Sequence, residues 1–324
     1  MGKMQNTTLK MFIFSAFLLL SSAGVMSQGE KQQLIIFHAG SLAVPFERII
    51  EGFRSENPGV TVLKEIAGSR ECAKKVSELH KPCDVLASSD YQVIDSLLIP
   101  QFADWNLKFA TNEMAIVFRA ESRRAKDITR NNWPDILMDS KVNIGRADPN
   151  ADPCGYRTIM TLKLAELYYH KPGLAGKLLS KDTRFIRPKE VDLLALLEAG
   201  ELDYVFLYRS VAEQHGLQFL KLPDEINLKR ADLEDQYQKV SVELNGTTPG
   251  SKITQYGSSM VYGVTIPKNA PNPELAKKFI EYLLSAEKGL KIMEQMGQPA
   301  VVPSVCDQYD KLPSDLRKFA VRKK

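Results

Sequence analysis

Apolar runs alternate with amphipathic stretches after residue 33. Residues 34–37, 60–66 and 84–87 contain the short apolar and β-branched runs typical of strands. Between the first two runs, apolar residues recur at helical spacing, at Leu42, Phe46, Ile49, Ile50 and Phe53. The order strand, helix, strand, helix, strand predicts an α/β fold built on a parallel sheet with helices on both faces.

Two later hydrophobic runs, 114–118 and 259–266, are candidate strands that cross between two lobes. A chain of about 300 residues exceeds the size at which one hydrophobic core keeps growing, so two lobes are expected. We predict that residues 28–114 and 260–324 form lobe I and that residues 115–259 form lobe II. The polar stretch 229–257 predicts a mobile excursion before the second crossing.

The N-terminus has the pattern of a secretory signal peptide. Lys3 and Lys10 precede the apolar run 11–20, and small residues follow through 21–27. The run is too short to span a bilayer comfortably, so residues 1–27 are excluded from the predicted fold. The cleavage region contains no cysteine, and we therefore expect a protein that diffuses freely in the periplasm without a lipid anchor.

Charge and cysteine content narrow the function classes. Without Lys3 and Lys10, the chain has 41 basic and 39 acidic residues, a balance that gives no support to nucleic-acid or membrane-surface binding. Four cysteines are present, at 72, 83, 154 and 306. In an oxidising compartment they predict at least one disulfide, and Cys72–Cys83 is the favoured pair.

Small and polar residues stand where predicted strands end and helices begin. These positions are Ser41, Ser69, the turn 152–155, Glu190 and Tyr208. Ligands of open α/β sheets bind at such strand ends, and hydroxyls with helix N-termini suit a small oxyanion. Purely structural roles stay open: helix caps for the serines and Asp152, a helix-dipole partner for Glu190, and a core position for Tyr208.

Five motifs occur in the order found in one family, at residues 38–42, 68–70, 148–157, 193–204 and 208–215. Together they resemble the molybdate/tungstate-binding proteins of ABC importers. The resemblance implies a two-lobed type II periplasmic-binding fold, each lobe a mostly parallel sheet flanked by helices, joined by two crossing strands. It also implies a monomer that serves an ABC importer permease, with no cofactor besides its ligand.

The same resemblance implies the residues of the site. The oxyanion-binding set would be Gly40, Ser41, Ser69, Asp152, Pro153, Cys154, Glu190 and Tyr208. Within it, Asp152 and Glu190 would bind the molybdenum or tungsten atom in a six-coordinate centre. The stretch 169–190 is shorter than in many archaeal members, so the match of Glu190 depends on the leucine-rich run that follows it.

The two carboxylates discriminate between ligands. Two unit charges about 4 Å apart repel by roughly 4 kcal/mol at a surface-like dielectric, so carboxylates weaken dianion binding unless they bond to its central atom. Molybdenum and tungsten accept further oxygen ligands, whereas sulfur and phosphorus do not. A sulfate or phosphate receptor is the alternative, and a secreted hydrolase pairing Ser41 with His38 is a third hypothesis. Tungstate and molybdate are not distinguished.

Overall fold

The computed structural model describes residues 32–246, 248 and 250–323, so the predicted signal peptide lies outside the described residues. Its strands are β1 (Gln33–Ala39), β2 (Thr61–Ala67), β3 (Val85–Ser88), β4 (Leu107–Thr111), β5 (Met114–Phe118), β6 (Ile144–Ala147), β7 (Ile186–Arg187), β8 (Tyr204–Tyr208), β9 (Gln218–Lys221), β10 (Ser241–Asn245), β11 (Lys252–Tyr256), β12 (Val261–Thr265), β13 (Ser304–Cys306) and β14 (Ala320–Arg322). Its α-helices are α1 (Ala43–Glu56), α2 (Ser69–Ser77), α3 (Tyr91–Leu97), α4 (Trp133–Met138), α5 (Pro153–Tyr168), α6 (Leu174–Ser180), α7 (Val191–Glu198), α8 (Arg209–Gln214), α9 (Glu234–Tyr237), α10 (Pro273–Leu283) and α11 (Gly289–Gln295). The α/β class predicted from the sequence is confirmed.

Two five-stranded sheets organise the chain. The first has the order β2-β1-β3-β12-β4 and the second the order β7-β6-β8-β5-β9. We call the first sheet with its helices lobe I and the second sheet with its helices lobe II. Two small ribbons accompany them, β10 with β11 and β13 with β14.

Each sheet is mostly parallel, as predicted, with four strands in one direction and one strand running against them. In lobe I, β1 pairs parallel with β2 and β3, whereas β12 is antiparallel to β3 and β4. In lobe II, β6 pairs parallel with β7 and β8, whereas β5 is antiparallel to β8 and β9. The reason is the route of the chain: β5 and β12 each enter a sheet from the cleft, at the edge where its parallel strands end.

The two runs expected to cross between lobes each lie within one sheet. Strand β5 belongs to lobe II and β12 to lobe I. The chain leaves lobe I through Asn112 and Glu113, which join β4 to β5. It returns just after Met260, which is still buried in the lobe II core and whose backbone N–H donates to the carbonyl of Leu228. The connections are therefore shorter than the predicted strands.

Alternation along β1 shows how the lobe I sheet is buried on both sides. Leu34 and Ile36 pack into the cluster that includes α1 and α10, whereas Phe37 packs into the cluster that includes α2 and α3. A strand covered on both faces has no polar face, which is why residues 34–37 are continuously apolar. A third cluster, in which Trp133 and Phe206 are buried, forms the core of lobe II.

The polar stretch 229–257 contains regular secondary structure, and its predicted mobility stays a prediction. It contains α9 and the antiparallel hairpin of β10 and β11, with Ser241 opposite Tyr256. Val242 and Leu244 are buried in the lobe II core, while Glu243 and Asn245 between and beyond them are exposed. This alternation is the signature of a half-buried strand.

The predicted Cys72–Cys83 disulfide is wrong in this structure. All four cysteines are buried and free. The Cys72 thiol donates to the carbonyl of His38, at 3.7 Å, and the Cys83 thiol to the carbonyl of Val85, at 3.2 Å. Burial raises the pKa of Cys72 to about 12, so the thiol stays protonated in its apolar layer.

Across the described residues, no helix has the length and apolarity needed to span a membrane.

Candidate functional site

Strand ends from both lobes meet at one cleft. In lobe I, β1 ends at Ala39 and is followed by a 3₁₀ turn, Gly40–Leu42, while β2 ends at Ala67 and Ser69 opens α2. In lobe II, Asp152 is the N-cap of α5, Glu190 precedes α7, and Tyr208 ends β8. The serines, Asp152, Glu190 and Tyr208 are all at most 1% exposed, so the lobes are closed on the site.

Two glycines let the lobes approach this closely. A Cβ on Gly40 would lie 3.1 Å from the carboxyl carbon and from both carboxylate oxygens of Glu190. A Cβ on Gly68 would lie 2.3 Å from the carbonyl oxygen of Ala151 and 3.0 Å from the Cβ of Asp152. The structure thus brings Gly40 and Glu190 together across the cleft, as the sequence predicts for members of one site.

Asp152 caps helix α5, the structural role left open for it from the sequence, and it also bonds to the backbone of Glu190. Its Oδ1 accepts from the backbone N–H of Cys154 at 2.8 Å, and its Oδ2 accepts from the backbone N–H of Glu190 at 3.0 Å. Burial and the neighbouring Glu190 carboxylate raise the pKa of Asp152 well above its usual range. Asp152 therefore fixes both helix starts of lobe II that face the cleft.

Glu190 is the unusual member of the cluster. The residue is 0% exposed, and neither carboxylate oxygen has a hydrogen-bond partner in the described part of the chain. A buried carboxyl group whose oxygens have no hydrogen-bond partner costs free energy of folding, because its desolvation is not compensated. A protein keeps such a group where a ligand from outside the chain bonds to it. Glu190 faces Gly40 across the cleft, so the cleft is where that ligand would bind.

A hydroxyl cluster joins the lobes on the other side of the site. Ser69 Oγ accepts from the backbone N–H of Ser89 at 3.0 Å and lies 3.1 Å from Ser89 Oγ. Tyr208 Oη lies 3.4 Å from Ser89 Oγ and accepts from Arg157 Nη1 at 3.0 Å. Because Arg157 can only donate, the proton of Tyr208 points away from it, and in this structure it points to Ser89 Oγ. Burial raises the pKa of Tyr208 well above its usual range, so this proton is kept.

Ser41 sits on the lobe I side with its own supports. Its Oγ accepts from the Tyr262 hydroxyl at 3.0 Å, and its carbonyl accepts from Gln298 Nε2 at 2.9 Å. Both partners are fully buried. The Ser41 hydroxyl is thus held in place rather than rotating freely at a helix start.

Pro153 and Cys154 have mainly structural contacts. Pro153 occupies the first turn of α5, where its missing N–H costs nothing. The backbone N–H of Cys154 is taken by Asp152, and its thiol donates to the carbonyl of Phe206 in β8 at 3.4 Å. Their predicted contact with a ligand stays a prediction.

His38 does not form the base–nucleophile pair that a hydrolase needs. Its Nδ1 lies 2.9 Å from the carbonyl oxygen of the adjacent Ala39, and its ring packs 5.1 Å from that of Phe46. Burial lowers the pKa of His38 to about 4. Ser41 takes its hydrogen bond from Tyr262 instead.

Sequence reasoning missed several residues at the cleft. Asp90 of lobe I accepts from the Tyr156 hydroxyl, and its Oδ2 lies 3.4 Å from Arg157 Nη2, both in lobe II. Arg157 Nη1 also donates to the carbonyl of Ser89 at 2.8 Å. Ser89 and Asp90 follow β3 just as Ser41 follows β1, so the same strand-end signal applied to the third strand finds them.

No group of three or more histidine, cysteine or acidic side chains is assembled as a metal site in the ranges the structure describes. The site has instead two adjacent carboxylates, at least three hydroxyls and a buried guanidinium. This set of donors suits an oxyanion, because the oxygen atoms of the oxyanion itself already supply most ligands of its central atom.

The comparisons with known proteins agree with this geometry. The profile of a family described as "Bacterial extracellular solute-binding protein" matches residues 34–297. The chain belongs to this family of solute-binding proteins, which are not enzymes. One relative, the molybdate/tungstate-binding protein WtpA of Pyrococcus abyssi, is 41% identical over 331 residues, covering 93% of this chain and 94% of the relative.

Solved structures show the same two-lobed fold. The sulfate-binding protein SubI from Mycobacterium tuberculosis matches with a TM-score of 0.59 and 14% identity, over 83% of this chain and 87% of that chain. The periplasmic molybdate-binding protein of Azotobacter vinelandii matches with a TM-score of 0.57 and 16% identity, over 82% of this chain and 98% of that chain. The predicted type II periplasmic-binding fold is confirmed.

Proposed function

We propose that this chain is the solute-binding component of an ABC importer and that its ligand is molybdate or tungstate. The observation that carries the ligand assignment is the Glu190 carboxylate, which is fully buried and whose oxygens have no hydrogen-bond partner among the described residues. Next to a dianion, that carboxylate is repulsive unless it bonds to the central atom. Molybdenum and tungsten accept such a bond.

In the proposed complex, Glu190 and Asp152 each add one oxygen to the four of the oxyanion. Each Asp152 oxygen accepts one backbone hydrogen bond, and a carboxylate oxygen has a second lone pair to give. Burial and the neighbouring Glu190 carboxylate raise the pKa of Asp152, and a bond to a metal centre would act against both effects because it favours the deprotonated carboxylate. The charge of the buried Arg157 offsets part of the negative charge gathered there.

The hydroxyls of Ser41, Ser69 and Tyr208 donate to the oxyanion oxygens in this proposal. Gly40 leaves the space in which the ligand lies against Glu190, and Pro153 and Cys154 form the helix start behind Asp152. The relative named as a molybdate/tungstate-binding protein supports the ligand class, because its similarity extends over nearly the whole chain.

The proposed cellular role follows from the family. Residues 1–27 direct export, and the mature chain works as a periplasmic monomer that delivers its ligand to the importer permease. No cofactor and no nucleic acid take part. The mixture of basic and acidic residues, 43 against 39 in the full chain, is consistent with a protein that recognises its anion locally rather than through a long-range positive field.

Calorimetric titration of residues 28–324 with tungstate, molybdate, sulfate and phosphate tests the proposal. We expect binding heat with the first two anions only. Phosphate is the informative competitor, because monohydrogen phosphate carries a proton that a buried carboxylate can accept. Binding of phosphate or sulfate without tungstate and molybdate would contradict the ligand assignment.

Glu190→Gln is the matched variant, since it keeps the shape of the side chain and removes its charge and metal affinity. We expect it to lose molybdate binding. Molybdenum X-ray absorption of the wild-type complex then counts the oxygen neighbours directly. A four-oxygen centre would leave an oxyanion receptor but would reject the bonds from Asp152 and Glu190.

A further inference from the structure

A buried tyrosine stands behind Ser41. Tyr262, the second residue of β12, is 0% exposed, and its hydroxyl lies 3.0 Å from Ser41 Oγ. The same hydroxyl lies 2.9 Å from Asn112 Nδ2 and 3.2 Å from Gln298 Nε2. Three polar groups from separate parts of the chain therefore meet at one phenol oxygen.

Backbone groups fix the orientation of both amides. Asn112 Oδ1 accepts from the backbone N–H of Glu113 at 2.9 Å, and a backbone N–H can only donate. Gln298 Nε2 donates to the backbone carbonyl of Ser41 at 2.9 Å, and a carbonyl can only accept. Each amide therefore presents its NH₂ group, not its oxygen, to Tyr262.

The direction of the remaining hydrogen bond follows. The Tyr262 oxygen accepts from two amides, so its single proton goes to Ser41 Oγ. Ser41 Oγ is then an acceptor towards Tyr262 and has to direct its own proton elsewhere. Within the described part of the chain, Ser41 Oγ has no second hydrogen-bond partner. Its proton is therefore available to a ligand oxygen in the cleft.

We propose that Tyr262 is a positioning residue that holds the Ser41 hydroxyl as a donor towards an unprotonated oxygen of the bound oxyanion. The inference rests on the proposed function and specifies how the site selects its ligand. Asn112 also links this chain of hydrogen bonds to the connection between the lobes, because its Nδ2 donates to Ser210 Oγ of lobe II at 2.7 Å. The hydroxyl is thus oriented when the two lobes adopt this arrangement.

Tyr262→Phe is the first test. It keeps the ring, which packs edge-on against Phe109 at 5.8 Å, and removes only the hydroxyl. We expect molybdate binding, measured by calorimetry, to weaken about tenfold, the loss typical of one buried hydrogen bond that orients another. Tyr282→Phe, on α10 against Phe53, is the matched control and should bind as the wild type does.

A double-mutant cycle separates positioning from packing. In a Ser41→Ala background, Tyr262→Phe should change the affinity by less than about twofold, because the hydroxyl that it orients is already absent. An equal loss in both backgrounds would overturn the positioning role while leaving the proposed function intact. A wild-type protein that binds none of the four anions would overturn the proposed function, and this role with it.

Gln298→Met provides a second route if Tyr262→Phe does not fold. It removes one of the two donors to the phenol oxygen and also the donor to the Ser41 carbonyl. The second loss is the same in the Ser41→Ala background, which keeps that carbonyl, so the cycle isolates the part that acts through the Ser41 hydroxyl. We expect the loss of molybdate affinity to be smaller in the Ser41→Ala background than in the wild-type background. Additive losses in this cycle would likewise overturn the positioning role.

Discussion

Gly68 offers a direct test of lobe closure. A Cβ at this position would lie 2.3 Å from the carbonyl oxygen of Ala151, which belongs to lobe II. The backbone of Gly68 has φ −59° and ψ 142°, angles that alanine adopts without strain. Gly68→Ala therefore leaves lobe I intact and disturbs only the contact between the lobes.

The size of the effect follows from the contacts around Ala151. Because a carbon atom needs about 3.5 Å from its neighbours, the lobes must separate by about 1 Å at this point. Overpacking of this kind costs about 1–3 kcal/mol. Separation also weakens the bonds from Glu71 N to Ala151 O, at 3.2 Å, and from Arg70 Nε to Asn150 O, at 3.3 Å. Closure then loses about 2 kcal/mol or more, which lowers ligand affinity about 30-fold or more.

Calorimetry and small-angle scattering together check this prediction. We expect the wild type to bind molybdate with a decrease in radius of gyration, and Gly68→Ala to bind weakly with a smaller decrease. Gly176→Ala is the control, because a Cβ there meets nothing within 4 Å. The ligand-free unfolding midpoint of Gly68→Ala should match the wild type. Wild-type affinity and full compaction in Gly68→Ala would refute the claim that the ligand is bound between these closed lobes.

Three further predictions concern single side chains. Asp152→Ala and Glu190→Ala should each weaken tungstate binding by more than the 0.5–1.5 kcal/mol of a hydrogen-bond deletion; unchanged calorimetric affinity would contradict their role as metal ligands. Burial lowers the pKa of His38 from 6.5 to about 4, so the unfolded chain binds a proton in this range that the folded chain does not. The His38 contribution to the free energy of unfolding is thus complete above pH 6.5 and falls by about 3 kcal/mol towards pH 4; urea titrations should show that His38→Gln lacks this part of the slope. Asp90→Asn should weaken molybdate binding by removing the carboxylate that pairs with Arg157 across the cleft, whereas Asp95→Asn, whose partner Asn106 is in the same lobe, should not; equal affinities would exclude Asp90 from closure.

Much of lobe I and half of the site can be predicted because local rules are sufficient there. The apolar run of β1 indicates a strand buried on both faces, and the serine turn after it must lie at the sheet edge. The same reasoning finds Ser69. Asp152 and Tyr208 stand at the ends of secondary-structure elements in lobe II. Polar side chains at such ends face the cleft between the lobes, whichever helix or strand they terminate.

The remaining features depend on contacts between distant parts of the chain. Tyr262 lies inside an apolar strand and has the pattern of a core residue. The orientation of its hydroxyl depends on hydrogen bonds from Asn112 and Gln298, which are distant from it in sequence. Arg157 is a charge on a helix whose residues are mostly buried, and its partner becomes apparent only when Asp90 is brought opposite it. The Cys72–Cys83 pairing failed for a different reason: proximity in sequence does not decide whether two thiols face each other or, as here, the backbone carbonyls of His38 and Val85.

The buried carboxylates have a consequence for the kinetics of exchange. With Asp152 at 1% and Glu190 at 0% exposure, a bound ion has no route to solvent while the lobes stay together. Its residence time is then set by how often the lobes open, not by how quickly individual bonds to the ion break. Under the proposed function, excess competing anion would not speed its departure, and an importer permease that separates the lobes would control both the moment and the direction of release.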